Sequence, residues 1–433
     1  MDKNEYNVLK IILKLYIFAT FAIGIMEIVS YTSLGEAQGM QLRVDRMDIL
    51  IILIIQVASL AFVYPLFLHT KEPKIHVRGF KNWHFEINYK RVHYVTFCLL
   101  LAELLFSVKT GNAILGREVS SRFSFLFNLF KISVWMPVYY VCAREKKKMI
   151  YWSNVILYVV YEFLCGWSGQ ILTVVFLELF LRVKHKDFGR ITRLFFRFNT
   201  FLTIAAFAIG SFLYSRVYSL KNSIRYGLAF GSIPPLSIFE GAEALLSRFT
   251  NFPITVAAVQ NHSKIASLYQ IQGRSLWEIE TILSPLLPRF IMPNKEFRPL
   301  SNIVKLAIWD DQPKGNGTGY NFFVYWFNIL ESNLICFLLG IVIFLVLFLI
   351  SRKIILMFDD GSHDVEVLYF LFLTSLFAET SLSNNFGYGY ISLVYTIPIF
   401  MIVGAIELKR TIQYSDTRFM KKDFPLLHTE MSL

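Results

Sequence analysis

Apolar runs of membrane-spanning length recur along this chain, separated by short polar connections and by one long interruption. Read for length and apolarity, they predict helical spans at about residues 8–30, 48–67, 94–108, 123–143, 150–164, 170–183 and 198–214. Three more come after the interruption, at about 332–350, 365–380 and 391–408. Backbone groups in lipid need partners within their own segment, so the spans are expected to be helices rather than open sheet. The implied fold class is all-α: a polytopic integral membrane protein of about ten transmembrane helices with one large external loop. The expected organisation is residues 1–215 with spans one to seven, 216–320 as the external loop, 321–410 with spans eight to ten, and 411–433 as a tail.

Basic residues cluster in alternate connections. Lys71, Lys74, Arg78, Lys81, Lys90 and Arg91 follow the second span, Arg144 and Lys146 to Lys148 the fourth, and Lys184 to Arg197 the sixth. Arg352 and Lys353 close the eighth span, and Lys409, Arg410, Arg418, Lys421 and Lys422 follow the tenth. By the positive-inside rule these connections and both termini are expected in the cytoplasm, with residues 216–320 outside. The first apolar run has no small-residue cleavage site, so it reads as a retained helix and not a signal peptide.

Composition agrees with the pattern: 55% of residues are hydrophobic and 17% charged. The net charge of +12 would suggest nucleic acid in a soluble chain, but many basic residues sit in connections between spans, so no nucleic-acid partner is expected. Cys98, Cys142, Cys165 and Cys336 fall within or beside apolar spans, which argues for apolar fillers rather than a disulfide or CxxC metal framework. Internal repeats are not visible.

The long interruption is where chemistry is expected. Its apolar stretches and its Trp277 and Trp309 argue against simple disorder and for short helices lying on or dipping into the outer membrane face. Arg216, Lys221, Arg225, Arg248, Lys264, Arg274, Arg289, Lys295, Arg298, Lys305 and Lys314 place positive charge outside, against the topological bias. An anionic partner such as a lipid diphosphate held by arginine forks would account for them; so would a solvated face neutralised by Glu240, Glu243, Glu278, Glu280, Glu296, Asp310 and Asp311. Pro288 and Pro293 bracket Arg289, which pre-sets an exposed turn holding Arg289 near Lys295, or serves as loop punctuation. His262 is a general base or an ordinary solvated histidine. Asp359, Asp360, His363 and Asp364 could suggest a metal, but they sit in a short turn on the expected cytoplasmic side, and no metal is assigned. Glu103, Lys131, Glu162 and Glu178 fall inside apolar spans, where an ionisable group is a functional candidate; pairing within the bundle is favoured.

The segment Leu287-Pro288-Arg289-Phe290-Ile291-Met292-Pro293-Asn294-Lys295 resembles the Ile-Pro-Arg-x-x-x-Pro-x-Lys segment of Wzy-type polymerases of O-antigen, capsule and exopolysaccharide. Arg248, in Leu246-Ser247-Arg248-Phe249, matches an upstream loop arginine of that family. Gly315 to Gly319 and Glu331 match its small-residue segment and the acidic residue where the chain next meets the membrane. Gly166-Trp167-Ser168-Gly169-Gln170 is similar to the family's Gly-Ser-Arg-Gly turn but lacks its arginine. The resemblance implies a glycosyltransferase of the bacterial cytoplasmic membrane that joins undecaprenyl-diphosphate-linked repeat units without nucleotide, metal or other cofactor. It implies Arg289, Arg248 and Lys295 on the leaving diphosphate, with Arg216 and Arg225 in reserve near the membrane. Glu331 and His262 are the candidates for the base that takes the acceptor proton. The partners implied are lipid-linked oligosaccharides and the bilayer, with a chain-length regulator and a flippase beside them. An O-antigen ligase, a flippase or transporter of lipid-linked sugars, and a structural scaffold are the competing readings; a transporter would favour broken helices at mid-membrane.

Overall fold

The computed structural model describes residues 3–37, 40–70, 83–111, 123, 132–144, 149–165, 168–185, 200–226, 228, 232–247, 249–271, 279, 300–309, 319–378 and 391–410. Arg248, Arg289, Lys295, Lys131, Gly315 to Thr318, the tip of the Gly166-Trp167 turn and the tail lie outside the described residues. The described chain forms fifteen α-helices and one two-stranded sheet.

Before the long interruption come α1 (Lys3–Ser30), α2 (Arg46–Thr70), α3 (Tyr89–Thr110), α4 (Ile132–Ala143), α5 (Met149–Cys165), α6 (Ser168–Lys184) and α7 (Thr200–Tyr226). The interruption and the C-terminal part of the chain hold α8 (Ile238–Leu246), α9 (Phe252–Gln260), α10 (His262–Ile271), α11 (Leu300–Trp309), α12 (Phe322–Ser332), α13 (Leu334–Leu356), α14 (Glu366–Ala378) and α15 (Ile391–Ile402). Four helices are long and apolar enough to cross a membrane: α1 over Leu9–Ser30, α2, α3 and α13. α4, α5, α11 and α14 are shorter and apolar. On α13, Leu338, Leu339, Val342, Leu345, Val346, Leu349 and Ile350 are all exposed. An apolar surface of that extent is stable against lipid and not against water, so this is a membrane-spanning protein.

Two expected boundaries move. The seventh span was expected to end at Tyr214, but α7 continues to Tyr226, so Arg216 and Arg225 stand on a helix and not in a loop. The tenth was expected to reach Leu408. Instead α15 stops at Ile402, Gly404 takes a positive φ of 64°, and Ile406–Arg410 forms strand β2, so the fold is not purely α. β2 pairs antiparallel with β1 (Trp83–Ile87), Trp83 opposite Arg410 and Ile87 opposite Ile406. The Arg91 guanidinium donates to the carbonyls of Val403 and Gly404, satisfying backbone freed where α15 ends. A Cβ on Gly404 would collide with that guanidinium.

Contacts sort the connections to two ends. At one, the Phe85 N–H donates to the Met357 carbonyl at 2.7 Å, and the Phe85 ring lies 4.7 Å from that of Phe358. There too Glu178 accepts from Arg144 at 3.2 Å and Arg182 at 2.6 Å, and Lys184 and His185 both reach the Asp364 carboxylate at 2.9 Å. Glu178 is therefore paired within the bundle, as expected for an acidic group in an apolar span, and its partners are Arg144 and Arg182. The described residues that follow α2, α4, α6, α13 and α15 thus share one end of the molecule.

The other end carries the interruption, and its helices descend into the bundle. α8 lies along α7 on a ladder of serines spaced by four, Ser211, Ser215, Ser219 and Ser223, all buried. Ser215 Oγ donates to the Leu236 carbonyl at 2.6 Å and Ser219 Oγ to that of Ile233, satisfying carbonyls of the non-helical segment before α8. Gly241 faces Ser211 so closely that a Cβ would come within 2.7 Å of its carbonyl oxygen. The chain turns at Thr250, whose hydroxyl accepts from Thr20 at 2.9 Å and Gln56 at 3.4 Å, and rises again as α9. Thr20 lies ten residues before the end of α1, or about 15 Å along it.

A second descent mirrors the first. Asn321 is buried, donates to Ser59 Oγ at 3.0 Å, and caps α12 by accepting from the Phe323 and Val324 N–H groups. Asn333 ends α12 and caps α13. The two helices run antiparallel: Phe322 packs on Phe344 with ring centroids 5.5 Å apart, and a Cβ on Gly340 would meet Trp326 at 3.1 Å. Ten residues separate Leu334 from Phe344, so α12 begins about 15 Å below the top of α13. Asn321 and Thr255 are joined as well, the Asn321 N–H donating to Thr255 Oγ1 at 3.0 Å. α8–α9 and α12 are thus two helical elements that re-enter the bundle, and their polar tips meet α1 and α2 about halfway along.

Candidate functional site at the mouth of the re-entrant helices

α9 climbs from the buried tip and ends at Gln260; α10 starts at His262. On α10, His262, Ile265 and Tyr269 recur at spacings of three and four, so they share one face. Ile265 and Tyr269 are buried in the same apolar cluster as Tyr325, Trp326 and Ile329 of α12, and the Tyr269 hydroxyl donates to Cys336 Sγ at 3.4 Å. That packing brings the polar end of the α10 stripe to the outer end of α12. His262 Nε2 lies 3.7 Å from Glu331 Oε1 there, with both side chains partly open to solvent. The two residues expected to handle the proton are therefore neighbours, 69 positions apart in sequence.

The ring is oriented from behind. His262 Nδ1 lies 3.2 Å from the Val259 carbonyl, which can only accept, so Nδ1 carries the hydrogen. Nε2 is then the ring nitrogen that faces Glu331. A base with one nitrogen fixed by an acceptor and the other beside a carboxylate can take a proton and have the resulting charge stabilised.

A strap formed by the α1–α2 connection crosses this region. Gln260 grips its main chain reciprocally: the side-chain Oε1 accepts from the Arg43 N–H at 3.1 Å and Nε2 donates to the Gln41 carbonyl at 3.0 Å. Further along, the Gly35 N–H donates to Glu243 at 3.1 Å and the Leu34 N–H to Glu27 at 2.8 Å. Gly35 has φ 57°, and a Cβ there would come within 3.0 Å of Ser247, so glycine is needed on both counts.

The expected anion-binding residues are distributed differently. Arg289, Arg248 and Lys295 lie outside the described residues, as does the side chain of Arg225. Arg216 is exposed on α7 with its guanidinium 5.3 Å from the Phe212 ring centroid; this contact does not bring it to His262 or Glu331. At the opposite end, the Asp359 to Asp364 turn is closed by Lys184 and His363. Lys184 donates to the Ser362 carbonyl and pairs with Asp364, while His363 pairs with Asp359 at 3.1 Å and Glu366 at 3.6 Å. Among the described residues no group of three or more His, Cys, Asp or Glu side chains is arranged to hold a metal.

Sequence reading passed over Gln260, Arg43, Thr250 and Asn321. The serine spacing and the Asn-Phe-Pro and Asn-Phe-Phe helix starts were the signals available for the re-entrant elements. The structure thus defines a helical membrane-spanning protein. No family model, no curated protein and no solved structure matches the chain.

Proposed function

We propose that the protein is a lipid-linked glycosyltransferase, an oligosaccharide repeat-unit polymerase acting on the outer face of the bacterial cytoplasmic membrane with both termini inside. The observation that supports this best is the His262–Glu331 pair, 3.7 Å apart at the mouth of the re-entrant helices. The growing chain, held on undecaprenyl diphosphate, is the donor. His262 Nε2 takes the proton of a sugar hydroxyl on the incoming unit while Glu331 stabilises the imidazolium. The hydroxyl oxygen forms the new bond to the anomeric carbon, the bond from that carbon to the phosphate oxygen breaks, and undecaprenyl diphosphate leaves with the electron pair. Arg289, Arg248 and Lys295, with Arg216 and Arg225 in reserve, stabilise its charge by the family resemblance. A chain-length regulator and a flippase act beside it.

The interrupted helices at half depth favour a second reading, a flippase or transporter of lipid-linked oligosaccharide. Surface-glycan gels separate the two. A deletion strain of a polymerase still displays single repeat units without long chains, whereas loss of all surface glycan points to the flippase or to a ligase. Complementation with His262→Ala or Glu331→Gln is expected to cut chain extension by about a hundredfold or more at normal protein level. Long chains in normal amount from both variants would remove the proposed base.

A further inference from the structure

We infer that Arg43, on the strap between α1 and α2, is a substrate-anion contact of the His262–Glu331 site, presented to it by the Gln260 clamp. The inference rests on the reading under Proposed function and adds a residue from a part of the chain, the short first outer connection, that the family segment does not touch.

Three observations carry it. First, the Arg43 backbone is fixed: its N–H is held by Gln260 Oε1 and the carbonyl two residues earlier by Gln260 Nε2, so one side-chain amide fastens the strap at two points. Second, Gln260 is two residues from His262, which puts their Cα atoms within about 8 Å of each other. The clamp therefore keeps the Arg43 backbone at the same corner of the molecule as His262. Third, the Arg43 side chain is exposed and has neither a hydrogen-bond nor an ionic partner among the described residues. Its neighbour Arg46 stacks 5.6 Å over the Tyr31 ring, and Tyr31 in turn donates to the Val44 carbonyl. One strap arginine is thus engaged in holding the strap, and the other keeps a complete guanidinium fork for a ligand. A planar fork on a pinned backbone suits a phosphate or carboxylate oxygen pair, and less ordering is needed than for a cation on a loose loop.

The ligand chemistry is a phosphate at the membrane surface. It can come from undecaprenyl diphosphate or from an anionic phospholipid headgroup, and the assay separates them. Full-length protein is placed in nanodiscs of phosphatidylcholine, with or without phosphatidylglycerol, and undecaprenyl diphosphate binding is measured by native mass spectrometry. In phosphatidylcholine, Arg43→Ala is expected to weaken binding about tenfold, with Arg43→Lys between the two. Gln260→Ala, which frees the strap and leaves the charge, is expected to weaken it less and to be rescued in part by Gln260→Asn. Equal affinity of wild type and Arg43→Ala overturns the inference and leaves the proposed function standing. No binding by the wild type overturns both. Loss of phosphatidylglycerol binding in Arg43→Ala with undecaprenyl diphosphate affinity unchanged makes Arg43 a bilayer contact and overturns its role at the site.

Discussion

Gly241→Ala tests the seating of α8 on α7 most directly. The new Cβ would stand 2.7 Å from the Ser211 carbonyl oxygen and 3.3 Å from Ser215 Cβ. Backbone cannot yield as a side-chain tip can, so α8 has to back away by several tenths of an ångström, at about 1–3 kcal/mol. The retreat also strains the bonds from Ser215 and Ser219 to the Leu236 and Ile233 carbonyls. Against this, alanine in place of a helical glycine returns about 1 kcal/mol. Gly210→Ala, on the α7 side of the same interface, isolates the clash. Its Cβ would meet only Leu245 Cδ2 at 3.6 Å, an ordinary contact, so it receives the helix term alone. The difference between the two variants is then the clash itself, about 1–3 kcal/mol. Thermal unfolding of the purified protein in detergent, followed by tryptophan fluorescence, should rank Gly210→Ala at or above wild type and Gly241→Ala below it. Gly241→Ala melting with or above Gly210→Ala would refute the close approach and with it the re-entrant placement of α8.

Asn321→Ala removes the cap of α12 and the bond to Ser59, and should lower stability by about 2 kcal/mol in the same assay, with Asn321→Asp retaining part of the cap. Glu178→Gln leaves the buried Arg144 guanidinium without its carboxylate and should lower stability by about 3 kcal/mol; an unchanged melting point would mean that the Arg144 and Arg182 pairing contributes nothing. Glu240 accepts from the Ser237 N–H in a capping box, and those backbone and side-chain bonds with Ser237 hold its pKa below the usual carboxylate value. Its contribution is complete above the unfolded-state pKa and is lost as pH falls through the lower folded one, so amide exchange at the start of α8 should quicken on acidification in wild type and be pH-insensitive in Glu240→Gln after correction for intrinsic rates.

The four long apolar helices were legible because a lipid-facing helix needs little beyond length and apolarity, as Leu334–Leu356 illustrates. The bounds of the short helices expected in the interruption were not, because α8, α9 and α12 are nine to eleven residues long and no hydropathy window of spanning length can see them. Their marks are local: serines every fourth residue on α7, and asparagines where a buried helix must start. The ribbon was misread for a related reason. Ile406-Glu407-Leu408-Lys409-Arg410 alternates with period two, as Trp83-His84-Phe85-Glu86-Ile87 does, but its apolar half merged with the preceding run. For the site, His262 and Glu331 were legible singly from residue type and position; that they meet follows from the Ile265 and Tyr269 stripe packing on α12, which depends on a fold-back invisible in the linear order.

The β1–β2 ribbon gives the chain a sense of time. Trp83 leaves the ribosome 327 positions before Arg410, its partner in register. At ordinary synthesis rates that interval lasts roughly 15–65 s. Throughout it β1 waits with an open hydrogen-bonding edge while the helices in between are inserted, and it closes only when the chain beyond α15 arrives to pair with it. A nascent chain that stalls, or one cut short before residue 410, keeps that edge unpaired and adhesive. Closure of the ribbon therefore reports that synthesis has passed α15.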